Sequence, residues 1–164
     1  MAILPIQVTV PRVMASDVLL PGAPVRQFSI FLENKVGALM RLVKLLHDSQ
    51  VAVLGLSVAE ATDVTIVRIV VNDPDTVEQV FFERGIPFTS CSLVVVELPD
   101  GPAGLGRCLQ ALLEAETNIM FAFPLLTHPD GKPALAFRVE DTTFGMAVLT
   151  TNGFKVLYQE DLSR

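Results

Sequence analysis

The sequence predicts an α+β protein made of two βαββαβ units side by side. Each unit is an antiparallel four-stranded sheet with two helices on one face. Three observations predict it. First, the chain repeats itself: residues 32–39 read L-E-N-K-V-G-A-L and residues 98–105 read L-P-D-G-P-A-G-L. Leu32 and Leu98, Asn34 and Asp100, Leu39 and Leu105, Leu46 and Leu112, and Val53 and Ile119 all stand 66 positions apart. After two inserted residues, Asp73 and Asp141, Val80 and Val148, and Gly85 and Gly153 stand 68 apart. Second, each half alternates β-like apolar runs with helical stripes. Third, cap and turn residues punctuate both halves at matching places. One unit can therefore be read for both, and the question becomes why there are two.

In the first unit, Arg26–Leu32 is a strand, with apolar Phe28, Ile30 and Leu32 in alternation. The turn Glu33–Gly37 follows. Leu39, Leu42, Val43 and Leu46 then form one helical face, with Arg41, Lys44, His47 and Asp48 opposite. Val51–Ala61 and Val64–Val71 are two strands joined tightly at Thr62-Asp63. Asp73 is an N-cap with Pro74 at the first helical position. Val77, Val80 and Phe81 give that helix its apolar face, and Gly85 stops it. The last strand runs from Phe88 into Glu97.

The second unit repeats the order, with the strand Leu93–Leu98 serving both. Leu105, Cys108, Leu109 and Leu112 are its first helical stripe. Asn118–Thr127 and Ala134–Val139 form a hairpin around Asp130-Gly131, a strong turn pair. Asp141 caps the second helix, Gly153 ends it, and Phe154–Glu160 is the final strand. The expected divisions are residues 1–25 as an extension and linker, 26–91 as the first module and 92–164 as the second, with the strand near 91–98 shared. Within the extension, Val8, Val10, Val13 and Val18–Leu20 can make one more strand, before the linker Pro21-Gly22-Ala23-Pro24. The face of each sheet away from its helices needs a cover. That cover can be the other module or a second chain.

Composition narrows the function. The chain is 51% hydrophobic and 18% charged, a globular mixture rather than a disordered one. A net charge of −6 with scattered basic residues leaves nothing to neutralise phosphates, so no nucleic-acid partner is expected. No apolar run is long enough to cross a bilayer, so no membrane partner is expected either. The N-terminus lacks a basic region, and two cysteines without CxxC spacing suit a reducing compartment, so a cytoplasmic location is expected. A mean hydropathy of +0.51 suggests an apolar surface buried in a homodimer.

The turns carry a family resemblance. Asn34-Lys35-Val36-Gly37-Ala38-Leu39 resembles the N-x-P-G-x-L turn of ACT domains, with Val in place of Pro. Asp100-Gly101-Pro102-Ala103-Gly104-Leu105 resembles the D-x-P-G-G-L variant, with Ala for the first Gly. With the βαββαβ order, the resemblance covers residues 26–160 and is nearest to small stand-alone tandem ACT proteins. It implies a ferredoxin-like fold. It also implies a small-molecule effector, commonly an amino acid, bound between adjacent units, with no catalysis, cofactor or metal.

The turn makes physical sense as an anion site. A helix N-terminus has unpaired N–H groups and partial positive charge. Gly37 lets a ligand approach the backbone, and a carboxylate can dock there. Asn34 offers both a carbonyl and an amide. The alternative reading is plain capping, since Asn34 and Asp100 stand where a helix wants an N-cap. The two turns differ. Asp100 brings a negative charge where a carboxylate would arrive and can cap its own helix. On the neighbouring second strands, the second module has Asn118-Ile119-Met120, resembling the family's N-I pair, and the first has Ala52-Val53. The expected principal site therefore combines Asn34, Lys35, Val36, Gly37, Ala38 and Leu39 with Asn118, Ile119 and Met120. The weaker one combines Asp100, Ala103, Gly104 and Leu105 with Ala52 and Val53. Phe121 and Phe123 can shape the principal pocket or simply fill a core.

No catalytic constellation is visible. His47 and His128 lie in different modules without acidic or cysteine partners nearby, and read as solvated. Cys108 takes the place of Leu42 and reads as a small core hydrophobe. Cys91 lies in a strand with no base in view. Arg68, inside an apolar strand, points to solvent or meets a carboxylate across an interface. The expected function is non-catalytic binding of an amino acid. The alternatives are a regulatory subunit for an amino-acid biosynthetic enzyme acting on a catalytic partner chain, a small ferredoxin-like enzyme, and a pure assembly unit.

Overall fold

The computed structural model describes residues 21–164. The expected strand in residues 8–20 lies outside them. The elements are β1 (Val25–Glu33), α1 (Ala38–Asp48), β2 (Val53–Glu60), β3 (Val64–Val71), α2 (Pro74–Arg84), β4 (Phe88–Glu97), α3 (Pro102–Glu114), β5 (Ile119–Pro124), β6 (Ala134–Val139), α4 (Thr142–Thr151), β7 (Val156–Leu157) and α5 (Gln159–Leu162). A single 3₁₀ turn, Pro129–Gly131, sits between β5 and β6.

The strands form one antiparallel sheet ordered β2-β3-β1-β4-β6-β5, with β7 added on β4. Strand β4 works in two halves. Phe88–Leu93 pairs with β1, from Ile30↔Phe88 to Val25↔Leu93. Val94–Glu97 pairs with β6, and Val95 and Val96 also pair with β7. Each half of the sheet thus has four strands and carries two long helices.

Period-two alternation sorts the side chains into three cores. Phe28, Ile30, Val67 and Ile69 turn toward α1 and α2, where Leu42, Leu46, Val77 and Phe81 meet them. Val94, Val96, Phe137 and Val139 turn toward α3 and α4, where Cys108, Leu112, Met146 and Leu149 meet them. The alternate residues Val25, Val70, Leu93, Val95, Phe123 and Ala136 make a third cluster on the helix-free faces. So the face that the sequence leaves uncovered is covered by the other half of the same chain. Each fully buried large side chain contributes about 1.5–3 kcal/mol, so this third layer joins the modules firmly.

The sheet curls until its edge strands touch. Gly55 of β2 bridges Leu125, just beyond β5, and the Leu126 N–H donates to the Leu54 carbonyl at 2.7 Å. Glycine fits this close approach: a Cβ at Gly55 would lie 2.8 Å from Leu125 Cδ2, which would have to shift. We refer to this contact as the seam.

Three expectations need correction. The final strand is not Phe154–Glu160 but the two residues of β7, followed by α5. Gln159 turns away from the sheet to bind the Arg26 N–H and the Val71 carbonyl through its side chain. Strand β5 is Ile119–Pro124, shorter than Asn118–Thr127. The core stripe of α3 is Gly104, Cys108, Ala111 and Leu112, so Leu105 and Leu109 lie partly in solvent. The linker residue Ala23 is tied down, its carbonyl accepting from the Gln159 N–H.

Candidate functional site

The four long helices fall into two kinds. Helices α2 and α4 are capped by their own sequence. Asp73 accepts from the Thr76 N–H at 3.1 Å, and Asp141 accepts from the Phe144 N–H at 2.9 Å. Helices α1 and α3 start instead at Gly37 and Gly101, with no side-chain cap. Gly37 has φ 81° and Gly101 φ 57° with ψ −133°, conformations that favour glycine. The capping reading of Asn34 and Asp100 is therefore overturned. Asn34 stands three residues before its N-cap, and Asp100 immediately before its own without a side-chain hydrogen bond to the helix N–H groups. The Asn34 amide lies 3.4 Å from Glu60 Oε1, and Asp100 lies 3.6 Å from the Arg107 guanidinium.

The first turn is open to solvent. Asn34, Lys35, Val36 and Gly37 are exposed, and Val36 wholly so. The chain is folded tightly there: the Lys35 N–H donates to the Glu33 carbonyl, and the Ala38 N–H to the Lys35 carbonyl. Leu39 leaves the turn and packs on the module-one core. Lys35 is ion-paired with Glu33, whose carboxyl it holds below the usual range; Arg41 adds a smaller effect of the same sign. The turn thus presents a helix N-terminus without acidic residues in its first turn.

The expected partner strand lies toward the same end of the molecule. Strands β2 and β5 run antiparallel from the bridge at Gly55 and Leu125. The end of β2, where Glu60 meets Asn34, and the start of β5, with Asn118, Ile119 and Met120, therefore lie at one end of the seam. Asn118 and Met120 are exposed, and Ile119 packs partly on the module-two core. Among the described residues no hydrogen bond joins Asn118 to the Asn34 turn.

The weaker set is placed differently. Ala103 is exposed, Gly104 is buried, and Leu105 is partly exposed. Ala52 donates its N–H to the Asn72 side chain, and Val53 pairs with Val71 in the sheet.

The structure adds a feature absent from the sequence reading. Between the end of β1, the flank of α1 and the loop Gly85–Pro87 lies an open slot of about 360 Å³. Arg41 and Glu33 are its charged lining residues, and Leu42, Leu45 and Ile86 are among its apolar ones. The Arg41 guanidinium reaches back to within 3.4 Å of where a Cβ on Gly37 would sit. The matching positions of the second module are arranged differently. There Phe154 takes the place of Ile86 and is buried, and Arg107, in the place of Arg41, stacks 5.0 Å over its ring. The backbones agree: the Ile86 N–H donates to the Phe81 carbonyl, and the Phe154 N–H to the Leu149 carbonyl. The repeat offset that sets Gly85 against Gly153 also sets Ile86 against Phe154, and that signal could have revealed the difference.

His47 and His128 are exposed, and His47 stands 3.9 Å from Asp48. Burial pushes the Cys108 thiol up to about 11 and raises that of Cys91, so neither is a ready thiolate. Arg68 takes neither expected course. It lies 4.3 Å over the Phe121 ring, joining the two modules by a cation–π contact. Phe121 and Phe123 stack against each other beside the third core. Glu97 is a buried carboxylate between Lys132 at 3.3 Å and Lys155 at 3.4 Å. Among the described residues no group of His, Cys, Asp and Glu is placed to hold a metal, and no helix is long and apolar enough to cross a membrane.

Comparison with known proteins fits this geometry. A family model described as an ACT domain pair matches residues 23–164. No curated protein sequence matches the chain. A crystal structure of a Bacteroides thetaiotaomicron protein is similar, at 24% identity and TM-score 0.77, covering 86% of this chain and 96% of that one. A crystal structure of aspartokinase alpha and beta subunits is similar at 14% identity and TM-score 0.53, covering 78% and 91%. The regulatory subunit of aspartate kinase from Thermus thermophilus, in its ligand-free form, is similar at 14% identity and TM-score 0.52, covering 79% and 92%. At these identities the three structures speak to the fold.

Proposed function

The chain belongs to the ACT domain pair family, and from that premise we propose that it is a non-catalytic sensor of an amino acid. One observation carries the reading. Within a single chain, the second helix of each module is capped by an aspartate, while the first begins at a glycine with no side-chain cap. A glycine N-cap costs only a few tenths of a kcal/mol relative to a side-chain cap, but it leaves N–H groups without a side-chain acceptor, and a bound carboxylate would satisfy them. The principal site is the Asn34–Leu39 turn together with Asn118–Met120 across the end of the seam. The Asp100–Leu105 turn with Ala52 and Val53 is weak, because the carboxylate of Asp100 repels an arriving anion. The protein acts in the cytoplasm as a homodimer, and its output passes through a partner or through assembly state.

A thermal-shift screen against the twenty amino acids, followed by calorimetry, tests this. An effector at 100 times its Kd stabilises the fold by about 2.7 kcal/mol. Binding lost in Asn34→Ala or Asn118→Ala and kept in Asp100→Ala supports the reading; the reverse pattern contradicts it. The second reading, a regulatory subunit of an amino-acid biosynthetic enzyme, draws on the likeness to the aspartate kinase regulatory subunit. Co-purification with a larger catalytic chain would favour it.

A further inference from the structure

The helix-free face of module one meets module two at a polar patch, and a closed circuit of contacts defines it. Arg68 of β3 stands opposite Ser29 of β1, with both side chains on one face. Gln27, on the same face of β1, donates its amide to the Ser29 hydroxyl at 3.0 Å. Gln27 in turn stands opposite Cys91 of β4. The circuit enters module two at the next carbonyl, that of Ser92, which accepts from Arg138 of β6 at 3.3 Å. Arg138 stands opposite Phe121 of β5, and the Arg68 guanidinium lies 4.3 Å over the Phe121 ring. Burial pushes the Cys91 thiol up, while Arg138 and then Arg68 pull it back down, as two cations facing one sulfur do.

Three members of this circuit lack partners. Among the described residues the Arg68 guanidinium makes no hydrogen bond or ion pair, and the Phe121 ring offers it no oxygen. Arg138 has the Ser92 carbonyl and the Thr142 hydroxyl, at 3.3 and 3.5 Å, and no carboxylate. Gln27 has the opposite need. It is 1% exposed, and its Oε1 accepts from no donor. A buried acceptor left unpaired is costly. The patch is also open to solutes, since Ser29, Arg68, Cys91, Phe121 and Arg138 are all partly exposed. Two cations that want acceptors thus stand beside a buried acceptor that wants a donor. A simple anion answers the arginines and leaves Gln27 unpaired. A neutral alcohol does the reverse. An oxyanion that carries a hydroxyl answers both.

We propose that Arg68, Arg138 and Gln27 form a site, shared between the modules, for a small hydroxyl-bearing oxyanion of the hydrogen phosphate or α-hydroxy acid class. Its oxygens accept from the two guanidiniums, and its hydroxyl donates to Gln27 Oε1. The site uses no residue of the turn-and-strand sites, and neither module holds it alone, so it goes beyond the sensor reading.

The test is calorimetric titration of the full chain, near neutral pH in a buffer free of oxyanions, with two matched pairs. Inorganic phosphate is set against sulfate, and L-lactate against propanoate; in each pair only the first carries a hydroxyl. Phosphate or lactate binds saturably, at least about tenfold more tightly than its match. Which of the two binds separates a phosphoryl ligand from a hydroxy acid. Arg138→Gln weakens that binding at least about tenfold, and so does Arg68→Gln. Arg84→Gln, at the exposed end of α2, leaves it unchanged. Gln27→Met removes the unpaired oxygen at similar volume. It folds at least as stably as wild type and no longer tells the two members of the pair apart. The proposal is overturned if neither phosphate nor lactate binds, if both pairs bind without preference, or if the preference survives Gln27→Met. If Arg68→Gln fails to fold for want of its contact with Phe121, Arg138→Gln decides, and unchanged affinity overturns the site.

Discussion

The two modules share a backbone plan and part company at the same place. In module one the loop after α2 carries Ile86, and the space beside α1 stays open. In module two the matching loop carries Phe154, which is buried, with Arg107 stacked over it. The turns diverge in the same sense. Asn34 leaves the start of α1 uncharged, while Asp100 sets a carboxylate beside Arg107 at the start of α3. Module two is thus filled by its own side chains where module one is vacant. Both copies contribute to one joint core, while the surfaces beside their first helices differ. The joint third core makes that division workable, since module two supports module one directly.

Perturbations that break this comparison can be ranked. Phe154→Ala opens the filled copy. It removes a buried aromatic and costs about 3–5 kcal/mol of unfolding free energy, measured by urea denaturation. Gly55→Val attacks the seam that holds the modules together. The added side chain meets Leu125 and Phe123, so a loss of about 1–3 kcal/mol is expected by the same assay. Asp73→Ala removes the cap of α2 and costs about 1 kcal/mol. The Asp73 carboxyl is held below its ordinary value, first by the Thr76 hydroxyl and then by the Thr76 N–H. A depressed folded value means the contribution is complete above the unfolded value near 3.8 and is lost as pH falls through the folded one. The gap between wild type and Asp73→Ala should therefore close in acid denaturation curves below that value. The smallest effect is Asp100→Ala. Its ion pair with Arg107 is exposed, so stability changes by less than about 1 kcal/mol and effector affinity is unchanged.

Much of the fold was legible in the sequence. The strands and helices came in the expected order, because alternation and helical stripes are local signals. Asp73 and Asp141 were legible as caps, since the residue type and the following helix suffice to identify them. Where tertiary contacts decide, the reading failed. The α3 stripe turned toward Gly104, Cys108 and Ala111, which leaves Leu105 and Leu109 partly in solvent. The last strand stopped at Leu157 because the side chain of Gln159 binds β1 and β3 backbone groups distant in sequence. Arg68 read as a solvent residue or as the partner of a carboxylate across an interface, because its actual partner, Phe121, lies in the other module. The slot was hidden for a related reason. It is made by residues of β1, α1 and the loop after α2 that are distant in sequence, and no composition or motif registers such a space.

The central claim is that module one, not module two, receives the effector. Backbone amide NMR of the whole chain, titrated with the amino acid found in the thermal-shift screen, tests it most directly. Shifts concentrated on the amides of Gly37, Ala38 and Leu39, with Ala103, Gly104 and Leu105 undisturbed, are the predicted result. Equal shifts at both turns, or shifts at Ala103–Leu105 alone, would contradict it.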